Sequence, residues 1–354
     1  MMDRKVQREL VKSMLILIDT MRKIDWTIEE QRRSVLEILY AVEKQCEGNL
    51  SATRYAYYQD VIQGLLNIIA TAPWGAMGAG DIIDACHLSQ DILHSLIKAL
   101  REEKEIKKEI VFLPYKASMW DSLESVWKAA VEDKEHCNAY VIPIPYYDRN
   151  PDGSFGMMHY EGLDFPADIP IINYLEYDFE MEHPDLIFVH NAYDRDNLAT
   201  SVYPQFYSDN LRKWTTRLIY IPYFILEDRD YTNDEEAVKY FFGLISHQSM
   251  VNFDDIVVQS ENLRQLYIEV LTRNSNTPNT ERQVREYWSK KVKALGSPKL
   301  DKLNYMKHRE CRIPKEWELR IEGKKVVLYN TSLNAALKNI DKLCGKMRSV
   351  FKQL

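Results

Sequence analysis

Between residues 5 and about 105, apolar side chains recur three and four positions apart: Val6, Leu10, Met14, Leu17 and Met21, then Val35, Ile38, Leu39 and Val42. That spacing gathers them on one face of a helix and predicts amphipathic helices. Residues 55–70 and 82–100 continue the pattern. The run from Ala72 and Pro73 through Gly75, Gly78 and Gly80 interrupts it, because glycine and proline both oppose helix. Asp81 is the expected N-cap of the helix that follows. Residues 1–108 are therefore expected to form a bundle of about four helices, suited to packing or to oligomerisation.

After this the period changes. Short runs at 110–114, 139–145, 185–191, 217–223, 255–259 and 292–295 are apolar along their length and alternate with helical stretches such as 120–131 and 261–272. Strands without polar alternation predict a parallel sheet covered on both faces. Ser118-Met119-Trp120-Asp121 resembles a capping box for the first of these helices, and Ser260 is placed to cap the second. Residues 109–310 thus read as a Rossmann-like α/β domain. Beyond residue 311, Lys325-Val326-Val327-Leu328-Tyr329-Asn330 is the expected first strand of a second α/β domain, Thr331-Ser332 a loop and 333–351 a helix. One βα unit cannot close a sheet, so that second domain is expected to be truncated.

Composition narrows the function classes. At 45% hydrophobic content the 354 residues suffice for ordinary globular cores, and no stretch approaches the ~20 apolar residues of a membrane helix. The five cysteines include no CxxC pair, so disulfides and structural zinc are not expected and a reducing cytoplasm is. Peripheral contact with the inner membrane face stays open. The net charge of -7 hides an asymmetry. Residues 132–196 hold 15 acidic against 3 basic side chains, and residues 282–353 hold 19 basic against 7 acidic. The basic part could face phosphates or could be solvated surface. Aromatic residues do not interleave with it, so nucleic acid is not an expected partner. Neither GxGxxG nor GxxxxGK[ST] occurs, nor HExxH nor GxSxG, so no cofactor or metal is expected.

Ligands of parallel sheets bind at the carboxyl ends of the strands. There the sequence offers Lys116 and Ser118, expected to hold phosphate at a helix N-terminus. Asp148 and His159 lie in a loop rich in Gly, Asp and Tyr that suits polyol recognition, or a surface turn. His190, beside Asn191 and Asp194, closes a buried strand and is the first candidate base; His247 in Ser246-His247-Gln248-Ser249 is the second.

Several segments resemble one family. They are Lys116-Ala117-Ser118-Met119-Trp120-Asp121-Ser122, residues 140–148, Asn150-Pro151-Asp152-Gly153-Ser154-Phe155-Gly156, His159-Tyr160-Glu161-Gly162, Val258-Gln259-Ser260-Glu261 and Gly296-Ser297-Pro298-Lys299-Leu300-Asp301-Lys302. Together they are similar to CDP-glycerol glycerophosphotransferase-like proteins of Firmicutes, related to teichoic-acid polymerases, over roughly residues 110–351. The resemblance implies a GT-B fold of two Rossmann-like halves, the first binding an anionic polyol-phosphate acceptor and the second a nucleotide-activated polyol or sugar donor, without metal. It implies a base in the first half, for which His190 is the expected residue, phosphate contacts at Lys116 and Ser118, and acceptor contacts at Asp148, His159, Asn191 and Asp194. The polymerases' Trp-His-Gly-Thr-Pro motif is absent here, with His247 and Asn252 its nearest remnants. The second half's motifs would lie beyond Leu354. Two alternatives stay open: a non-catalytic binding or assembly protein on the same fold, and a sugar-nucleotide epimerase.

Overall fold

The computed structural model describes residues 1–274, 280–307, 313–326 and 333–352. Its helices are α1 (Arg4–Met21), α2 (Glu29–Asn49), α3 (Ala52–Thr71), α4 (Ala79–Arg101), α5 (Glu124–Glu132), α6 (Phe179–Glu182), α7 (Ser208–Leu211), α8 (Glu235–Ile245), α9 (Glu261–Asn274), α10 (Glu281–Lys291), α11 (Pro298–Met306), α12 (Lys315–Ile321) and α13 (Leu333–Phe351). The strands are β1 (Lys108–Leu113), β2 (Cys137–Val141), β3 (Tyr146–Arg149), β4 (Phe155–His159), β5 (Leu186–Val189), β6 (Thr200–Val202), β7 (Arg217–Tyr220), β8 (Asp255–Val258) and β9 (Val292–Ala294). Met1–Asn304 form one compact unit and Tyr305–Leu354 a second.

The first four helices bury the predicted stripe: Leu10, Met14, Leu17, Val35, Leu39 and Val42 pack with Tyr58, Leu65, Leu93 and a stacked Trp26–Trp74 pair. Helix α4 starts at Ala79, two residues before the expected cap, with Gly78 at the N-cap position and Asp81 in the first turn. There its carboxylate faces the positive end of the helix dipole.

β1, β2, β5, β7, β8 and β9 form one six-stranded, all-parallel sheet in the order β2-β1-β5-β7-β8-β9. The chain is thus mixed α/β, as the apolar strand runs predict. Alternate residues face opposite sides. Val111, Leu113, Ile187, Val189, Leu218, Tyr220, Ile256 and Val258 pack under α8, α9 and α10. Ile110, Phe112, Phe188 and Ile219 face Trp120, Leu123 and Trp127. Coverage of the second face is incomplete. Phe188, Ile219, Ile221, Val257 and Leu295 line an apolar groove of about 460 Å³ between α5 and the start of α11. The strand residues along it, Phe188, Ile219 and Ile221, are nonetheless buried, and Leu295 at its rim is exposed.

Two local expectations change. The segment Ala117–Ser122 is a 3-10 turn, α5 begins only at Glu124, and no side chain caps either, so the Ser118 capping box does not form. Ser260 does cap α9, accepting from the Leu263 N–H at 3.3 Å. Three further strands lie outside the expected ones. β3, β4 and β6 make a small antiparallel sheet in the order β4-β3-β6, inserted after β2 and after β5. In the second unit, α13 matches the predicted helix; of the strand predicted just before it, residues 327–330 lie outside the described residues, as do Thr331 and Ser332.

Candidate functional site

The strand order reverses direction between β1 and β5: the chain leaves β1 for β2 on one side and returns to add β5, β7, β8 and β9 on the other. At such a switch point the loops leaving the two central strands part, opening a crevice at their carboxyl ends. Here the first loop carries Tyr115 and Lys116, the second carries His190 to Asp194, and the β3–β4 hairpin lies beside them.

Lys116 is the cation of this edge. Its ammonium sits over the ring of Tyr146 at 4.7 Å and that of Tyr115 at 5.6 Å. Among the described residues no carboxylate reaches it at ion-pair distance, although carboxylates crowd this part of the chain. Two basic residues of the acidic stretch that lie near this edge are occupied. Arg149 donates to the carbonyls of Gly153 (2.7 Å) and Arg195 (3.1 Å), and Arg195 pairs with Asp209 at 3.3 Å.

The neighbouring carboxylate, Glu161, is spent on structure. It accepts from the Ala117 N–H (2.8 Å) and from the Tyr146 hydroxyl (2.6 Å). The backbone N–H that a phosphate would have used beside Ser118 is therefore filled from within, and Ser118 itself is exposed on the 3-10 turn. Asp148 and His159 lie not in the expected loop but on β3 and β4, which the antiparallel pairing brings side by side. The ring Nε2 lies 2.7 Å from Asp148 Oδ2, and the imidazole stacks on Tyr146 at 5.0 Å. Lys116, Asp148 and His159 thus surround one tyrosine.

His190 is placed differently from its expected role. It is fully buried, Nε2 accepts the Tyr115 N–H at 3.1 Å, and Nδ1 lies 2.9 Å from Ser122 Oγ and 3.3 Å from the Met119 carbonyl. Ser122 spends its own hydrogen on Met119, so Nδ1 must carry the ring proton. Burial drives the ring's pKa down to about 3, which keeps it neutral. With both nitrogens committed and no exposure, His190 pins the β1 loop to β5; it has no lone pair free to take a proton. Asn191 is likewise turned inward, its side-chain oxygen accepting from the Tyr193 N–H at 2.9 Å.

His247 and Asp194 line another cleft of about 510 Å³, bounded by the loop after β5, α7, the turn before β8 and the ends of α9 and α10. His247 Nε2 lies 3.1 Å from the Leu244 carbonyl, and Nδ1 faces Asp196 at 3.6 Å. Burial lowers its pKa against the pull of Asp196, so the Nδ1 lone pair is available at neutral pH. Asp194 holds α7: its carboxylate accepts from the Ser208 N–H and from the Ser208 hydroxyl at 2.5 Å. It does so from a left-handed backbone (φ 42°), and burial raises its pKa to about 6 despite those bonds.

An arc of rings joins the two places. Tyr115 meets Tyr223 (6.4 Å), Tyr223 meets Tyr193 (6.3 Å), and Tyr193 meets His247 (4.6 Å). These tyrosines, with Tyr146 and Glu161, are the site residues that motif reading missed. The signal available was their position, directly after apolar runs. Among the described residues no group of side chains has metal-binding geometry, and no helix is long and apolar enough to cross a membrane. No family model, curated protein or solved structure matches this chain.

Proposed function

We propose that the carboxyl edge between β1 and β5 binds a phosphorylated polyol, as the acceptor site of a glycerophosphotransferase-like, GT-B-type protein. The observation that carries this reading is the Lys116 ammonium, unpaired with any described carboxylate and cradled by two aromatic faces at the switch point of a parallel sheet. A phosphate gives that cation its missing counter-charge, and the His159–Asp148 pair 2.7 Å apart offers donors and acceptors to hydroxyls. In a transfer, an acceptor hydroxyl oxygen would attack the β-phosphorus of CDP-glycerol, forming one P–O bond and breaking the pyrophosphate bond to release CMP. The acceptor's proton would go to His247 Nδ1 rather than to His190.

The engagement of both His190 nitrogens favours a second reading, binding without turnover. Calorimetric titration with glycerol 3-phosphate tests the shared part. Binding by the wild type that falls at least tenfold in Lys116→Met supports it, and equal affinities in the two proteins refute it. CMP release from CDP-glycerol then bears on transfer: turnover lost in His247→Gln and kept in His190→Gln means transfer, and turnover that His247→Gln leaves unchanged refutes His247 as the base.

A further inference from the structure

In the cleft of about 510 Å³ around His247, two acceptors face one another and share no donor. The His247 side chain is only 8% exposed. Nε2 lies 3.1 Å from the Leu244 carbonyl, an acceptor, so in the neutral ring Nε2 carries the proton and Nδ1 a lone pair. The group facing Nδ1 is the Asp196 carboxylate at 3.6 Å, beyond hydrogen-bond distance. Among the described residues no lysine or arginine pairs with Asp196.

The charge around these two groups is negative. Asp194, Asp196 and Asp209 line the cleft against one cation, Arg195, which Asp209 engages at 3.3 Å. That balance disfavours a phosphate or a carboxylate and favours a cation. Asp194 is committed to Ser208, so Asp196 is the carboxylate left to receive it. Val251 and Trp288 give the same cleft an apolar wall. A water molecule would bridge the two acceptors but bring no charge and use none of that wall. A group with several N–H donors, a positive charge and an apolar stem does all three.

We infer that this cleft binds an alkylammonium group, which donates one N–H to His247 Nδ1 and another to Asp196 and lays its carbon chain against Val251 and Trp288. The inference does not depend on the phosphate reading of Lys116. It touches the transfer reading at one point. An ammonium on Nδ1 occupies the lone pair that would take the acceptor's proton, so its binding and transfer exclude each other.

The test compares probes that separate charge from hydrogen bonding. n-Butylammonium, n-butanol and tetramethylammonium are titrated at constant ionic strength into the full chain carrying labelled histidine, and the His247 ring is followed by NMR. Its signal is identified by its loss in His247→Gln. The expected result is a saturable shift of the Nδ1 resonance with n-butylammonium. n-Butanol, which lacks the charge, and tetramethylammonium, which lacks the N–H, are expected to leave it unmoved. Asp196→Asn keeps the shape of the side chain and removes its charge; it is expected to bind n-butylammonium about tenfold more weakly. No saturable shift with n-butylammonium, an equal shift with either other probe, or equal affinity in Asp196→Asn overturns the inference and leaves the Lys116 site standing.

Discussion

His190 illustrates how burial decides what a titratable group can do. Its folded pKa of about 3 lies below the ordinary 6.5, so between those values the unfolded chain binds a proton that the folded chain does not. Stability therefore rises with pH across that window, by up to about 1.4 kcal/mol per pH unit, and is lost on acidification. Asp194 has the opposite sign. Its folded pKa of about 6 exceeds 3.8, so the folded chain binds the extra proton and stability falls as pH rises through that range. Urea unfolding at pH 4 and pH 7 separates the two. His190→Gln is expected to flatten the acid loss, and Asp194→Asn to steepen it. At pH 7, His190→Leu should cost about 1–3 kcal/mol, because the buried Tyr115 N–H loses its acceptor. A variant as stable as the wild type would mean that the pin holds nothing.

Residue chemistry was only partly legible in the sequence. Lys116 was legible as the residue just after an apolar strand, whereas the meeting of Asp148 with His159 depends on the β3–β4 hairpin, which the sequence did not reveal. The occupation of His190 could not be seen, since it depends on a backbone N–H contributed 75 residues away.

At the scale of elements, a cluster of ion pairs ties α1 to the amino edge of the sheet. Arg4 meets Asp185 with two donors, at 3.2 and 2.5 Å, and Arg8 reaches Glu109 at 2.9 Å and Glu182. Asp185 also accepts the Glu109 N–H at 3.0 Å. Burial alone would raise its pKa, but Arg4 and this N–H outweigh burial and lower it. Arg4→Ala leaves that carboxylate underpaired and should cost about 3 kcal/mol at pH 7. The difference should shrink as pH falls from the ordinary carboxylate range through the lowered folded pKa of Asp185, below which it is protonated in both states. Chemical denaturation at pH 7 and pH 3 measures it; an equal loss at both would assign the effect to packing of the arginine stem.

The elements missed by pattern have a common cause. β4 has no buried residue, β3 has one buried residue in four, and β6 spans only three residues. None buries enough apolar surface to stand out from a polar loop. The parallel strands were legible for the converse reason: β1 is buried at five of six positions and ends in an unbroken apolar run, 110–113.

For the whole molecule, strand order matters most. Six parallel strands in the order β2-β1-β5-β7-β8-β9 have one place where the connections diverge, and Lys116, Tyr115, His190 and Tyr193 all issue from it. Sequence predicted the sheet but not the order, because order depends on which neighbours pair across long connections. The acidic stretch around this edge adds a whole-molecule constraint. With 15 acidic residues against 3 basic ones between 132 and 196, an anion is admitted only where a specific cation receives it. The central claim is therefore about position, and a crystal of the chain grown with glycerol 3-phosphate tests it most directly. The account predicts phosphate density within about 3 Å of Lys116 Nζ, with the glycerol hydroxyls beside the His159–Asp148 pair. Density confined to the His247 cleft, with the Lys116 edge unchanged, would contradict it.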